Sequence, residues 1–110
     1  MENINPIPTN VIRKYLGYLI DKTFKILPMH EEQSPTLQSY IESYIIEIIG
    51  DKRIIPVFNA DPRIISFLGT LSYLATEEYD HKICKREVFK CIGIITNIRD
   101  RYFKEIWTHG

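Results

Sequence analysis

His81 and Cys84 stand three residues apart, a spacing that puts both on one side of a helical turn. Imidazole and thiolate are both zinc ligands, but a closed tetrahedral site needs two more. In the neighbouring sequence only Asp80 and Glu78 offer a carboxylate. The simpler reading is a solvated histidine above a buried cysteine, so no metal and no cofactor are expected. His30 lies in a loop beside Glu31 and Glu32, and His109 stands next to the C-terminus. Glu77, Glu78 and Asp80 have the composition of a general acid–base group, yet they read better as a polar turn that caps a helix. No Ser, Thr or Cys has a base beside it in sequence. GxxxxGK, GxGxxG, HExxH, GxSxG and CxxC are all absent. The expectation is a non-enzymatic protein with no catalytic residues.

The elements that would position these groups are helical. Twenty of the 110 residues are isoleucine, most of them at helical spacing between proline-marked breaks. Residues 1–9 carry two prolines and read as an extended lead-in, with Thr9 or Asn10 as the cap of a first helix over 10–27. Ile12, Tyr15, Leu16, Leu19, Ile20, Phe24 and Leu27 form its apolar face, and Pro28 is expected to end it. Ser34-Pro35 is a hydroxyl cap followed by proline at the first helical position. The second helix should run over 35–49, with Gly50 as its stop. Its apolar face is Leu37, Tyr40, Ile41, Tyr44, Ile45, Ile48 and Ile49, and Ile46 is the exception on the wet face. The connector 51–60 is apolar enough at Ile54, Ile55, Val57 and Phe58 to pack over one end of the core. Asp61-Pro62 repeats the cap signature for a helix over 62–77, with Ile64, Ile65, Phe67, Leu68, Leu71, Leu74 and Ala75 inward. Asp80 caps the last helix, 81–107, whose seam is Cys84, Val88, Cys91, Ile95, Ile98, Tyr102 and Ile106. The fold class is all-α: a single domain over 1–110, an irregular antiparallel four-helix bundle. Two mirror-related topologies fit the same stripes.

A chain of this length buries roughly two thirds of its unfolded surface, so it needs no metal or disulfide staple. Its two cysteines lie two helical turns apart, about 10 Å along the axis, too far for a disulfide. They read as free core thiols in a reducing compartment. With no signal peptide, no glycosylation sequon and no apolar run of about 18 residues, a cytoplasmic location and no membrane contact are expected. Isoleucine at 20 against alanine at two suggests an AT-rich genome, such as a low-GC bacterium, its phage or another virus.

Formal net charge is zero, which argues against the global field of a non-specific nucleic-acid binder. Locally the charge is uneven. Residues 31–50 hold four acids and no Lys or Arg, while residues 81–110 hold seven bases against three acids. On a helical wheel, Lys82, Arg86, Lys90, Arg101 and Lys104 line the face opposite the seam. Lys82–Arg86 and Arg86–Lys90 are like charges one turn apart, mildly destabilising, and only Lys104 has a well-placed partner, Asp100. Phe89 and Trp107 point outward beside this stripe, with Phe103 at its border. Arg and large aromatics are frequent interface anchors. The bland alternative is a solvated stripe, with Phe89 and Trp107 tucked against the connector. Tyr18, Ile46, Ile83 and Ile94 widen the apolar arcs beyond what a monomeric bundle needs, so self-association or an obligate partner is expected unless the connector and lead-in cover them.

No family is recognised. In outline, a helical bundle of about a hundred residues ending in a long basic helix resembles small bacterial immunity proteins and phage inhibitors, an analogy of fold alone. The expected function is protein binding, as an inhibitor, immunity factor or accessory subunit. The expected contacts are Lys82, Arg86, Phe89, Lys90, Arg101, Lys104 and Trp107. The second reading is a nucleic-acid-binding regulator using the same helix.

Overall fold

Every helix buries the side on which apolar residues recur every three or four positions. The computed structural model describes residues 8–55, 59 and 61–109, with side chains described from Asn10 to Asp100. The helices are α1 (Thr9–Phe24), α2 (Ile26–Glu31), α3 (Leu37–Lys52), α4 (Arg63–Thr76) and α5 (His81–His109). The all-α class holds; among the described residues four helices are long and one is short. No strand occurs among the described residues.

α5 packs along α1, α2 and α4, and α3 packs along α4. The core is continuous, from Leu16 and Leu19 of α1 through Tyr44 and Ile48 of α3 and Phe67 and Leu71 of α4 to Cys84, Val88, Cys91 and Ile95 of α5. Both cysteines are free and buried. Burial raises their thiols, Cys84 to about 11 and Cys91 to about 12. Of the residues placed inward by sequence, Phe24, Ile49 and Ile65 are instead exposed.

Several boundaries differ from the sequence expectation. The first helix is not one segment over 10–27 that ends at Pro28. It breaks at Lys25, and Pro28 lies inside α2. Pro28 has no N–H to give the Phe24 carbonyl four residues back, so the ladder is interrupted there. In the first turn of a new helix that missing donor costs nothing. α1 starts at Thr9, after Pro8, whose carbonyl accepts from Val11 and Ile12 N–H, so neither Thr9 nor Asn10 stands outside the helix as a cap. Gly50 does not stop α3, which continues to Lys52. Ser34 does not cap α3: regular helix begins only at Leu37, the N-cap position is Thr36, and the Ser34 hydroxyl accepts from Thr36 N–H at 3.3 Å in the turn that precedes it. Asp61 accepts from Arg63 N–H at 2.9 Å and Asp80 from Ile83 N–H at 2.9 Å, as their cap signatures predict. In the connector Ile55 is buried and Ile54 is exposed. Val57 and Phe58 lie outside the described residues, as does most of the 1–9 lead-in.

The edge between α1 and α3 is closed by polar tips on large rings. Tyr44 is fully buried, and its hydroxyl donates to the Leu19 carbonyl at 2.8 Å while meeting the Thr23 hydroxyl at 2.8 Å. Tyr40 donates to the Lys22 carbonyl at 2.7 Å, Tyr15 to Asp51 at 2.6 Å and Tyr18 to Glu47 at 2.8 Å. These pairings run in opposite directions along the two helices, so α1 and α3 are antiparallel. The Lys22 ammonium bridges to Glu47 at 2.9 Å and lies within 5.7 Å of the centroids of Tyr18, Tyr40 and Tyr44. Burial drives the Tyr44 and Tyr15 hydroxyls well above their ordinary range.

Tyr44→Phe should lower stability by about 1 kcal/mol, because the Leu19 carbonyl keeps only its bond from Thr23. Thermal unfolding followed by circular dichroism should show a fall of about 4–8 °C. Partial burial pushes the Glu47 carboxyl up, but bonds from Lys22 and Tyr18 outweigh it and hold it below its ordinary 4.5. Its contribution is therefore present above pH 4.5 and lost as pH falls through the lowered value. Lys22, bonded to Glu47, is raised above 10.5, so its contribution is complete below that pH and lost above it. Glu47→Gln should cost about 0.5 kcal/mol at neutral pH and flatten the acid limb of a stability–pH profile; an unchanged limb would exclude this ion pair as its source.

Candidate functional site

Two places gather chemistry-bearing groups. One lies where the end of α2 meets the start of α5. The interruption at Lys25 restarts the helix at Ile26, and α2 carries His30 in its last turn. Gln33 then ends α2 in the left-handed conformation, φ 54°. Ser34 N–H reaches back to the Met29 carbonyl at 2.9 Å and Gln33 N–H to the His30 carbonyl at 3.0 Å, the paired bonds of a Schellman stop. From the other side, α4 ends at Thr76 and Tyr79 turns inward, its hydroxyl donating to the Leu74 carbonyl. Asp80 caps α5 and sets the direction in which His81 and Cys84 leave the helix.

Rings pack in a row here. Tyr73 and Tyr79 stack with centroids 5.6 Å apart, and Tyr79 and His30 with centroids 4.9 Å apart. His30 and His81 follow, planes within 13° and Nδ1 atoms 3.0 Å apart, so the two imidazoles meet nearly edge to edge. Nε2 of His30 lies 3.2 Å from the Tyr79 carbonyl, which only accepts, so that nitrogen carries the proton. The ligand atoms of His30, His81 and Cys84 all lie within 4.8 Å of one another. A cavity of about 460 Å³ opens beside them, lined by residues including Glu31, Leu37, Tyr79 and Asp80. Sequence spacing pointed to His81 and Cys84 but not to His30, 51 positions away from His81. No local signal joins them; only the packing of α2 on α5 does.

The second place is the outer face of α5. Lys82, Arg86 and Lys90 are exposed there, as the wheel predicts. They are not without partners: Glu87 lies 2.9 Å from Arg86 and 3.8 Å from Lys90. Phe89 is 52% exposed and rests edge-on against Phe24 of α1, centroids 5.7 Å apart, rather than against the connector. Phe24 keeps 39% of its own surface open, so two helices contribute to one aromatic patch. The side chains of Arg101, Phe103, Lys104 and Trp107 lie outside the described residues. Of the residues expected to self-associate, Ile46 is 70% and Tyr18 43% exposed, and Tyr18 is engaged with Glu47 and Lys22. Ile94 is partly buried against the core, and Ile83 is half-buried.

Gln33→Gly should remove the left-handed strain at the end of α2 and raise stability by about 1 kcal/mol. Equilibrium urea unfolding checks it, with an unchanged slope and a higher midpoint expected; a lower midpoint would mean that the Gln33 side chain supports the turn.

Among the described residues, no helix is long and apolar enough to cross a membrane. Compared with protein-family models, with curated proteins and with solved structures, the chain gave no match to any family model and no significant match in either of the other two searches.

Proposed function

We propose that this chain is a non-enzymatic module that binds an acidic protein surface through the outer face of α5, as an inhibitor, immunity factor or accessory subunit would. The observation that carries this reading is the Phe24–Phe89 pair, two large rings from separate helices left open to solvent at the surface. Lys85, Arg86 and Lys90 surround Phe89 at one-turn and adjacent spacings, with Lys82 two turns before it and Glu87 two residues before it. Lys25 adjoins Phe24, and Asp21 stands one turn before it. An apolar centre with a cationic rim matches the composition of an interface anchored by aromatics and Arg. Arg101, Lys104 and Trp107 would extend it along the helix. The cytoplasmic setting expected from the reduced cysteines belongs to the same proposal.

A separate partner is favoured over the acidic helix of a second copy. Glu47 is already committed to Lys22 and Tyr18, and Glu42 accepts from Gln38 at 3.1 Å. A second copy would therefore meet an acidic face already partly neutralised from within.

Arg86→Glu with Lys90→Glu should weaken partner binding by on the order of 10-fold or more. It should leave stability within about 0.5 kcal/mol, because both side chains are exposed. Co-purification from the native source with the wild-type and reversed proteins, alongside their melting curves, checks both expectations. Titration with labelled DNA and RNA at two salt concentrations separates the alternative: tight binding that falls steeply with salt and disappears in the reversed protein would assign the face to nucleic acid. A large loss of stability would show that these residues serve the fold.

A further inference from the structure

We propose that His30, His81 and Cys84 form a zinc site with three protein ligands and a fourth, exchangeable position opening into the neighbouring cavity. This departs from the expectation of no metal drawn from the sequence, and it stands apart from the binding face on α5.

Three observations carry it. The first is the donor set. Two imidazoles and a thiolate suit a borderline divalent ion, and three protein ligands plus one open position is a recognised zinc arrangement. Their ligand atoms already lie within 4.8 Å of one another. Around a tetrahedral zinc, with bonds of about 2.0–2.3 Å, each pair would stand about 3.3–3.6 Å apart. The two Nδ1 atoms, now 3.0 Å apart, need only part slightly as the rings tilt toward a shared ion. Cys84 comes from the same turn of α5 as His81, so its approach requires side-chain rotation rather than movement of a helix.

The second observation is the tautomer. The Tyr79 carbonyl accepts from Nε2 of His30, so Nδ1 is the nitrogen of that ring that faces the cluster. Zinc-bound histidines generally give their other N–H to a carbonyl or carboxylate in this way. The Tyr79 ring, stacked on His30 and anchored through its hydroxyl to Leu74, fixes the plane of the imidazole as well. In the metal-free chain one proton must lie between the two Nδ1 atoms. Zinc would displace the Cys84 thiol proton to solvent, and the proton between the two Nδ1 atoms would move to Nε2 of His81, so that both ligating imidazoles stay neutral.

The third is access. The cavity of about 460 Å³ is lined by both histidines and gives the fourth position a route to water. Asp80 also lines it, but its carboxylate caps Ile83 N–H and so belongs to the helix start. Zinc held here would tie α2 to α5 across two segments far apart in the chain.

The test uses the full chain, stripped with a chelator and titrated with cobalt(II), then with zinc in competition. One equivalent of cobalt should give the intense visible bands of a tetrahedral ion and a thiolate-to-cobalt charge-transfer band, and zinc should displace it. Cys84→Ser should abolish the charge-transfer band. Cys91→Ser, which alters the other buried thiol, should keep it. His30→Gln should weaken zinc by more than the roughly 10–100-fold that loss of an outer-shell partner costs. Zinc should also raise the melting temperature of the wild-type chain. Folded wild-type protein that shows no charge-transfer band and no thermal shift with zinc would overturn the proposal without reference to any variant. So would a band that survives Cys84→Ser.

Discussion

The buried hydroxyl of Tyr44 is the constraint on which the packing of this bundle turns. A tyrosine in the centre of a core must find a hydrogen-bond partner there, since an unmet hydroxyl costs more than its ring burial gains at the margin. Here the partners are the Leu19 carbonyl and the Thr23 hydroxyl, both on α1. That single requirement fixes how far along α1 the middle of α3 must lie. The ring also meets Phe67 edge-on at 6.3 Å, so the same residue sets the α3–α4 contact. α1 and α3 approach less closely than the other neighbours, and long rings with polar tips span the distance. Leucines would have filled the gap without specifying its register.

Register along α1 is passed on at its end. Pro28 breaks the helix four residues back, and the short α2 turns toward the start of α5. The result is that His30, which has no informative neighbours in sequence, meets Tyr79, His81 and Cys84. A helix that ran unbroken to residue 31 would have carried His30 in another direction. The proline thus sets a position as well as a boundary.

The charged surface follows a different logic. Lys22 is surrounded by tyrosine rings and paired with Glu47, and so serves the α1–α3 edge. Lys82, Arg86 and Lys90 are exposed, the last two paired with Glu87. A cation enclosed between helices thus contrasts with the exposed cations on the outer face of α5. Phe24 sharpens that contrast, because the α1 stripe would place it inward and the structure leaves it beside Phe89.

The sequence by itself determined the helical class, the inward seam of α5 through Ile98 and the starts of the last two helices. Each of these depends on local physics: apolar spacing, a capping oxygen, or a ring that fixes one dihedral angle. Asp61 and Asp80 cap as their types require because a cap acts within three residues of itself. The stop at Gly50 failed for the same reason in reverse, since glycine permits a helix end but packing decides whether one is needed. Tertiary structure alone decided which helices are neighbours, that the tyrosines act through their hydroxyls, and that His30 joins His81 and Cys84. The contacts between helices link positions 18 to 51 residues apart, and no spacing rule reaches so far. They exist because helices that must bury one face each can satisfy every buried polar group in only one mutual arrangement.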